Sequence, residues 1–180
     1  MGISYTQLVP FSELSPGQAG SIRNQIIQAL VADCAARTNL PEDRLVVRDI
    51  RVKDDLVVYT AGTDADVEDW GCITGAALGY ETMTTGTMGD MRWCGIYGVK
   101  IGPSCACTAL KFNIGGGDRV IWQLQSLRSE DDYVGICPTG VTIPQNTIYT
   151  ISRYVTLVTS QAFIALKGVI VEPRGKVVSP

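Results

Sequence analysis

Two hydrophobic periods divide the chain. Ile22, Ile26, Ile27, Leu30, Val31, Cys34 and Ala35 recur at three- and four-residue spacing, which makes one apolar stripe down a helix. Ser15-Pro16-Gly17-Gln18 has the form of a capping box with proline at the first helical position, and Ser21 is an alternative start. The stripe ends near Asn39, just before Pro41, so residues 15–40 are read as the helical unit. Arg23, Asn24, Asp33 and Arg37 fall largely off the stripe. An amphipathic helix of this kind docks on a sheet, whereas a membrane-surface helix would be richer in Lys and Arg.

From Arg44 onward the period is two. Val46, Ile50 and Val52 alternate with Val47, Asp49 and Arg51; Asp54 and Asp55 read as a turn and 56–61 as the return strand. Residues 62–91, rich in Gly, Thr, Met and acids, read as a long decorated connection with room for one short element. Residues 91–101 are strand-like around Trp93, Ile96, Tyr97 and Val99. A hairpin follows, with Leu110, Phe112 and Ile114 facing Val120, Trp122 and Leu124 across a turn at Gly115-Gly116-Gly117-Asp118. Residues 146–158 and 162–172 form two long strands. The second is apolar on both faces, as in a strand covered from both sides. Residues 173–180 are a tail after Pro173-Arg174-Gly175, and residues 1–14 read as an extended N-terminal arm.

One helix and roughly eight strands predict a mainly β protein: a single antiparallel β-sandwich over 41–172 with one N-terminal amphipathic helix. A jelly roll fits best, and an immunoglobulin-like sandwich is the runner-up. Composition agrees, since Val (18), Ile (16) and Thr (16) are the residue types suited to a pleated, half-buried surface.

Charge changes the picture locally. The chain has 15 basic and 18 acidic residues, but residues 54–91 hold eight acids and no base. Asp64, Asp66, Glu68 and Asp69 resemble the oxygen-rich start of a calcium loop. Counted from Asp64, an EF-hand would need Gly and Glu where Asp69 and Gly75 stand, so any calcium site here is irregular. A solvated acidic loop, or a segment that meets the basic C-terminal half of a neighbouring copy, are the other readings. The acidic balance and the lack of a basic cluster argue against direct nucleic-acid binding.

Chemistry is narrowed by the complete lack of histidine, which excludes Ser-His-Asp and Cys-His centres. Asp54-Asp55 and Asp131-Asp132 are adjacent pairs whose side chains diverge, so neither is an acid/base couple, and no enzyme activity or cofactor is expected. Trp70, Trp93 and Trp122 are the aromatics on which a carbohydrate-binding sandwich would stack sugar rings. Six cysteines without a Cys-x-x-Cys pair read as buried thiols. No signal peptide or transmembrane stretch is recognisable, so synthesis in the cytoplasm is expected.

A mean hydropathy of +0.15 with only 18% charged residues suggests apolar surface covered by another chain. The expected interface residues are Leu8, Val9 and Phe11 of the arm and Phe163, Val169 and Val171 of the last strand. With its arm, low charge, large loops and long apolar strands over 44–172, the chain resembles jelly-roll virion structural proteins: coat, accessory, tube or fibre subunits. That resemblance implies a non-catalytic, self-assembling component of a virion or other extracellular assembly. Its partners would be copies of itself and other virion proteins. A carbohydrate- or calcium-binding β-sandwich module is the alternative.

Overall fold

The computed structural model describes residues 3–56, 64–65, 69–74, 77–103, 105–129, 133–157 and 161–175. Its elements, in chain order, are β1 (Ser4–Gln7), β2 (Val9–Pro10), α1 (Pro16–Thr38), β3 (Leu45–Asp49), α2 (Val52–Asp55), β4 (Asp64–Ala65), β5 (Asp69–Thr74) and β6 (Gly79–Thr87). There follow β7 (Trp93–Ile101), β8 (Cys107–Ile114), β9 (Gly117–Gln123), α3 (Gln125–Ser129), β10 (Val134–Ile143), β11 (Ile148–Val155) and β12 (Gln161–Pro173).

Eight of the strands pair as one long rolled hairpin. β8 pairs with β9, β7 with β10, β6 with β11 and β5 with β12, all antiparallel. Rolling then sets β11 beside β8 and β12 beside β7. The result is two sheets, β1-β9-β8-β11-β6 and β2-β10-β7-β12-β5-β4. β3 joins the second sheet by pairing with the far half of β12. This nested pairing is the jelly roll.

The hairpin turn is where the sequence placed it. Ile114 opposes Gly117, and Gly115 (φ 66°) and Gly116 (φ 78°) make the two-residue turn in the left-handed conformation that such turns require. Inward residues of the two sheets form the main core. Phe112 and Trp122, tilted with ring centroids 4.6 Å apart, pack there among Met83, Ile96, Leu110 and Ile164.

The helix is also as expected. Ser15 accepts from the Gln18 backbone N–H while the Gln18 side chain accepts from the Ser15 N–H, and Asn39 ends the helix in the left-handed region. Its stripe buries Ile26, Leu30 and Cys34 on the outer face of the seven-stranded sheet, against Trp93, Val169 and Val171. Close approach depends on glycine. A Cβ at Gly95 would sit 2.7 Å from both Ile26 and Leu30, and one at Gly140 would sit 2.6 Å from Ile26. Trp93 Nε1 donates to Asp33 at 2.8 Å and Arg23 pairs with Asp49 at 3.0 Å, which fixes the helix azimuth.

Three expectations are corrected. The strand from Arg44 stops at Asp49, and Asp54 and Asp55 lie in α2 and not in a turn. The physical reason is a buried ion network. Arg48 makes two bonds to Asp55 (2.7 and 2.8 Å) and one to Glu172 (2.9 Å), and Arg92 reaches Glu172 at 3.0 Å and Asp55 at 3.3 Å. Asp55 also accepts from the Arg51 backbone N–H, so the helical turn exists to bring that carboxylate inward. Second, 62–91 is not mainly loop: it contains β4, β5 and the nine-residue β6. Third, residues 1–14 are not a free arm. β1 pairs in parallel with β9, and β2 pairs with β10, so the segment straps both sheets of its own domain.

Candidate functional surfaces

The structure separates the expected site residues. Asp64 and Asp69 lie in β4 and β5 and are described for their backbone only; Asp66 and Glu68 lie outside the described residues. Among the described residues no group of three or more potential metal-ligating side chains comes together. Of the interface candidates, Leu8, Val169 and Val171 are buried in their own domain, at 1%, 0% and 0% exposure. Leu8 fills the main core, and Val169 and Val171 face α1. Val9 is half-buried in β2, while Phe11 and Phe163 are exposed. The double-sided apolarity of the last strand is thus met within the chain: helix on one face, opposing sheet on the other.

Trp93 and Trp122 are fully buried and cannot stack a ligand; the Trp70 side chain lies outside the described residues. Cys34, Cys94, Cys105, Cys107 and Cys137 are buried. Burial pushes the Cys94 and Cys34 thiols up; a hydrogen bond with Cys105, then burial, raises that of Cys107. Protonated thiols of this kind are poor nucleophiles and poor metal ligands.

Exposed aromatic character sits on tyrosine instead, on the outer face of the five-stranded sheet. Register places Tyr5, Ile121, Lys111, Ser152 and Thr82 in one row across the sheet, with Tyr154 and Tyr80 side by side in the next. Tyr80 and Tyr154 meet edge to face at 5.0 Å, and Lys111 Nζ lies 4.5 Å over the Tyr80 ring. Lys111 also pairs with Asp118 at 3.7 Å, and Asp118 accepts from Asn113 at 2.9 Å. Burial raises the Tyr80 phenol, helped by Tyr5, Tyr154 and Asp118 nearby. Among the described strands β6 is the last of this sheet, with one flank paired to β11. Leu78 and Leu157, 68% and 63% exposed, extend the apolar patch past Tyr80 and Tyr154 at the same corner.

A second feature is the mouth of the sandwich. Ser4 and Thr6 of β1 oppose Val120 and Trp122, so they share the inward face of β9. With Thr139 and Thr142 of β10 they line a cleft of about 530 Å³ between the two sheets. A neighbouring cleft, also about 530 Å³, lies around Asn113, Asp118 and Gly115–Gly117. The two share Gly115 and Arg119. Arg119 is exposed and its Nε donates to the Ile114 carbonyl at 3.2 Å. A third groove, about 520 Å³, lies beside the start of α1 between Arg23, Lys100, Lys167 and Phe163.

Neither the tyrosine face nor the mouth was singled out from the sequence. A signal existed for the first: Tyr80 and Tyr154 stand on strands whose outward positions are otherwise polar apart from Ile148. The strand pairing that makes them neighbours is not local, and only the fold supplies it.

With the fold in hand, the class of protein is a jelly-roll sandwich carrying a docked helix. No protein-family model matches the chain, and no curated protein does. Among solved structures the chain is similar to dimeric latent PorU from Porphyromonas gingivalis, with a TM-score of 0.31, 9% identity, and coverage of 72% of this chain and 12% of that one. It is also similar to an acetyl xylan esterase (Est2A) from the rumen bacterium Butyrivibrio proteoclasticus, with a TM-score of 0.32, 11% identity, and coverage of 70% and 32%. The chain therefore spans a minor part of either protein, and likenesses this low carry no argument about function.

Proposed function

We propose that this protein is a non-enzymatic structural subunit that associates with copies of itself, of the kind found in virion components. The observation that supports this reading most is the β6 edge with its adjoining apolar corner. Among the described strands β6 stands at the end of its sheet, a position that natural proteins usually blunt with lysine, proline or a covering segment. β6, with the sequence GYETMTTGT, carries no lysine and no proline. Its one charge, Glu81, is paired with Arg153 at 2.7 Å. Leu78, Tyr80, Tyr154 and Leu157 beside it form the sort of exposed patch that marks an interaction site. Antiparallel pairing of β6 with β6 of a second copy satisfies a twofold axis, in which one surface meets itself. It joins two five-stranded sheets into one.

Light scattering over a concentration series tests the reading. A species larger than the monomer is expected at micromolar concentration, and Leu78→Lys with Tyr80→Lys should return it to monomer with an unchanged circular dichroism spectrum. Both residues are exposed, so their replacement leaves the core intact. A wild-type chain that is monomeric throughout, or a double variant that associates as well as wild type, would overturn the proposal.

A further inference from the structure

We infer that the two-lobed cleft at the mouth of the sandwich binds an acidic sugar, a carboxylate-bearing pyranose within an oligosaccharide, with Arg119 holding the carboxylate. The inference is independent of the association reading, since the mouth lies on β1, β9 and β10 and the proposed contact on β6.

The two lobes differ in chemistry. In the lobe between the sheets the one charged lining residue is Arg119, and the other polar groups are hydroxyls: Ser4, Thr6, Thr139, Thr142 and Thr147. Hydroxyls both donate and accept, as a sugar's own hydroxyls require. The apolar lining, including Val120 and Val141, offers contact for the C–H face of a ring. The neighbouring lobe carries Asp118 and Asn113, a carboxylate acceptor and an amide, which suit neutral hydroxyls and repel a second anion. The guanidinium stands where the lobes meet, so a carboxylate can lie against Arg119 while an adjoining neutral ring lies over Asn113. A volume of about 530 Å³ for each lobe falls within the usual range of small-ligand sites, about 300–1,000 Å³.

Glycine keeps the walls low. A Cβ at Gly116 or Gly117 would meet nothing within 4 Å, so these positions face open space and no packed neighbour. Gly117 is not in the left-handed region either, so neither turn geometry nor packing requires glycine there. What a side chain at 117 would do is occupy the lobe.

The test is an amide-resonance titration of the full chain with three probes: a disaccharide containing glucuronic acid, its neutral glucose counterpart, and inorganic phosphate. The acidic disaccharide should shift the resonances of 115–119 and 139–142 at millimolar concentration, with the neutral one binding at least about tenfold more weakly. Gly117→Leu should abolish the shifts at an unchanged melting temperature. Arg119→Gln should erase the preference for the acid over the neutral sugar. Because Arg119 also anchors the turn carbonyl, Gly117→Leu serves as the variant independent of that anchor. No shift with any sugar, equal binding of the neutral sugar, the same shifts from phosphate alone, or full binding by Gly117→Leu would each overturn the inference.

Discussion

At the scale of single residues, the most committed side chains are the carboxylates of Asp55 and Glu172, 0% and 1% exposed and shared between two arginines. Such a pair contributes modestly against apolar replacements, but losing one partner strands the others in a dry site. Asp55→Ala is therefore expected to cost about 3–5 kcal/mol, measured by urea unfolding. A cost below about 1 kcal/mol would mean that water reaches the arginines and relieves them. The buried thiols make a second prediction. Cys34, Cys94 and Cys107 are held up in the folded chain, while unfolded thiols ionise near pH 8.5. The unfolded state thus loses protons that the folded state keeps, and stability falls as pH rises. It is complete below about pH 8.5 and declines steadily above it. Melting temperatures from pH 7 to 10 under reducing conditions should show this decline, and replacing Cys34 and Cys94 with alanine should flatten it.

At the scale of elements, α1 shows how capping and docking divide the work. The Ser15 cap is exposed, so Ser15→Ala should cost about 1 kcal/mol. Gly95→Val should cost more, because its side chain must displace Ile26 and Leu30 in a packed seam where extra volume costs about 1–3 kcal/mol, occasionally more. Thermal melts of the two variants check the order, and a reversed order would mean that the helix is held by its end and not by its face. The helix, the central hairpin and the last two strands were legible in the sequence because their burial pattern is local. Leu110, Phe112 and Ile114 alternate, and the structure buries all three. β6 was not legible because its inward positions include Thr84, which is fully buried and donates to the Leu56 carbonyl, so the polar–apolar contrast vanishes. β10 was hidden by Pro138, Thr139 and Gly140, residues that read as a turn; the structure absorbs them in a register shift between Ile136 and Val141. The end of β3 was misjudged because Asp55 answers to Arg48 and Arg92, the second of them far away in sequence, and both arginines are shared with the still more distant Glu172.

At the scale of the whole molecule, the N-terminal strap and the rolled hairpin explain why Leu8, Val169 and Val171 of the expected interface residues turned inward. Leu8, Val169 and Val171 are covered by the chain's own sheets and helix, while Phe11 and Phe163 stay exposed. The two surfaces proposed to meet outside partners, the β6 corner and the mouth, lie at opposite flanks of the five-stranded sheet. The rolled pairing also orders events in time. β12 is inserted between β7 on one side and β5 and β3 on the other, yet it is the last of the described strands. Until it has been synthesised, the seven-stranded sheet is split into three pieces: β2-β10-β7, β5-β4 and β3 alone. At about 5–20 residues per second on the ribosome, β7 waits for seconds before β12, the second of its two partners, exists. The nascent chain must therefore spend that interval unfinished, and its safe passage depends on whatever shelters it before the last strand slides into place.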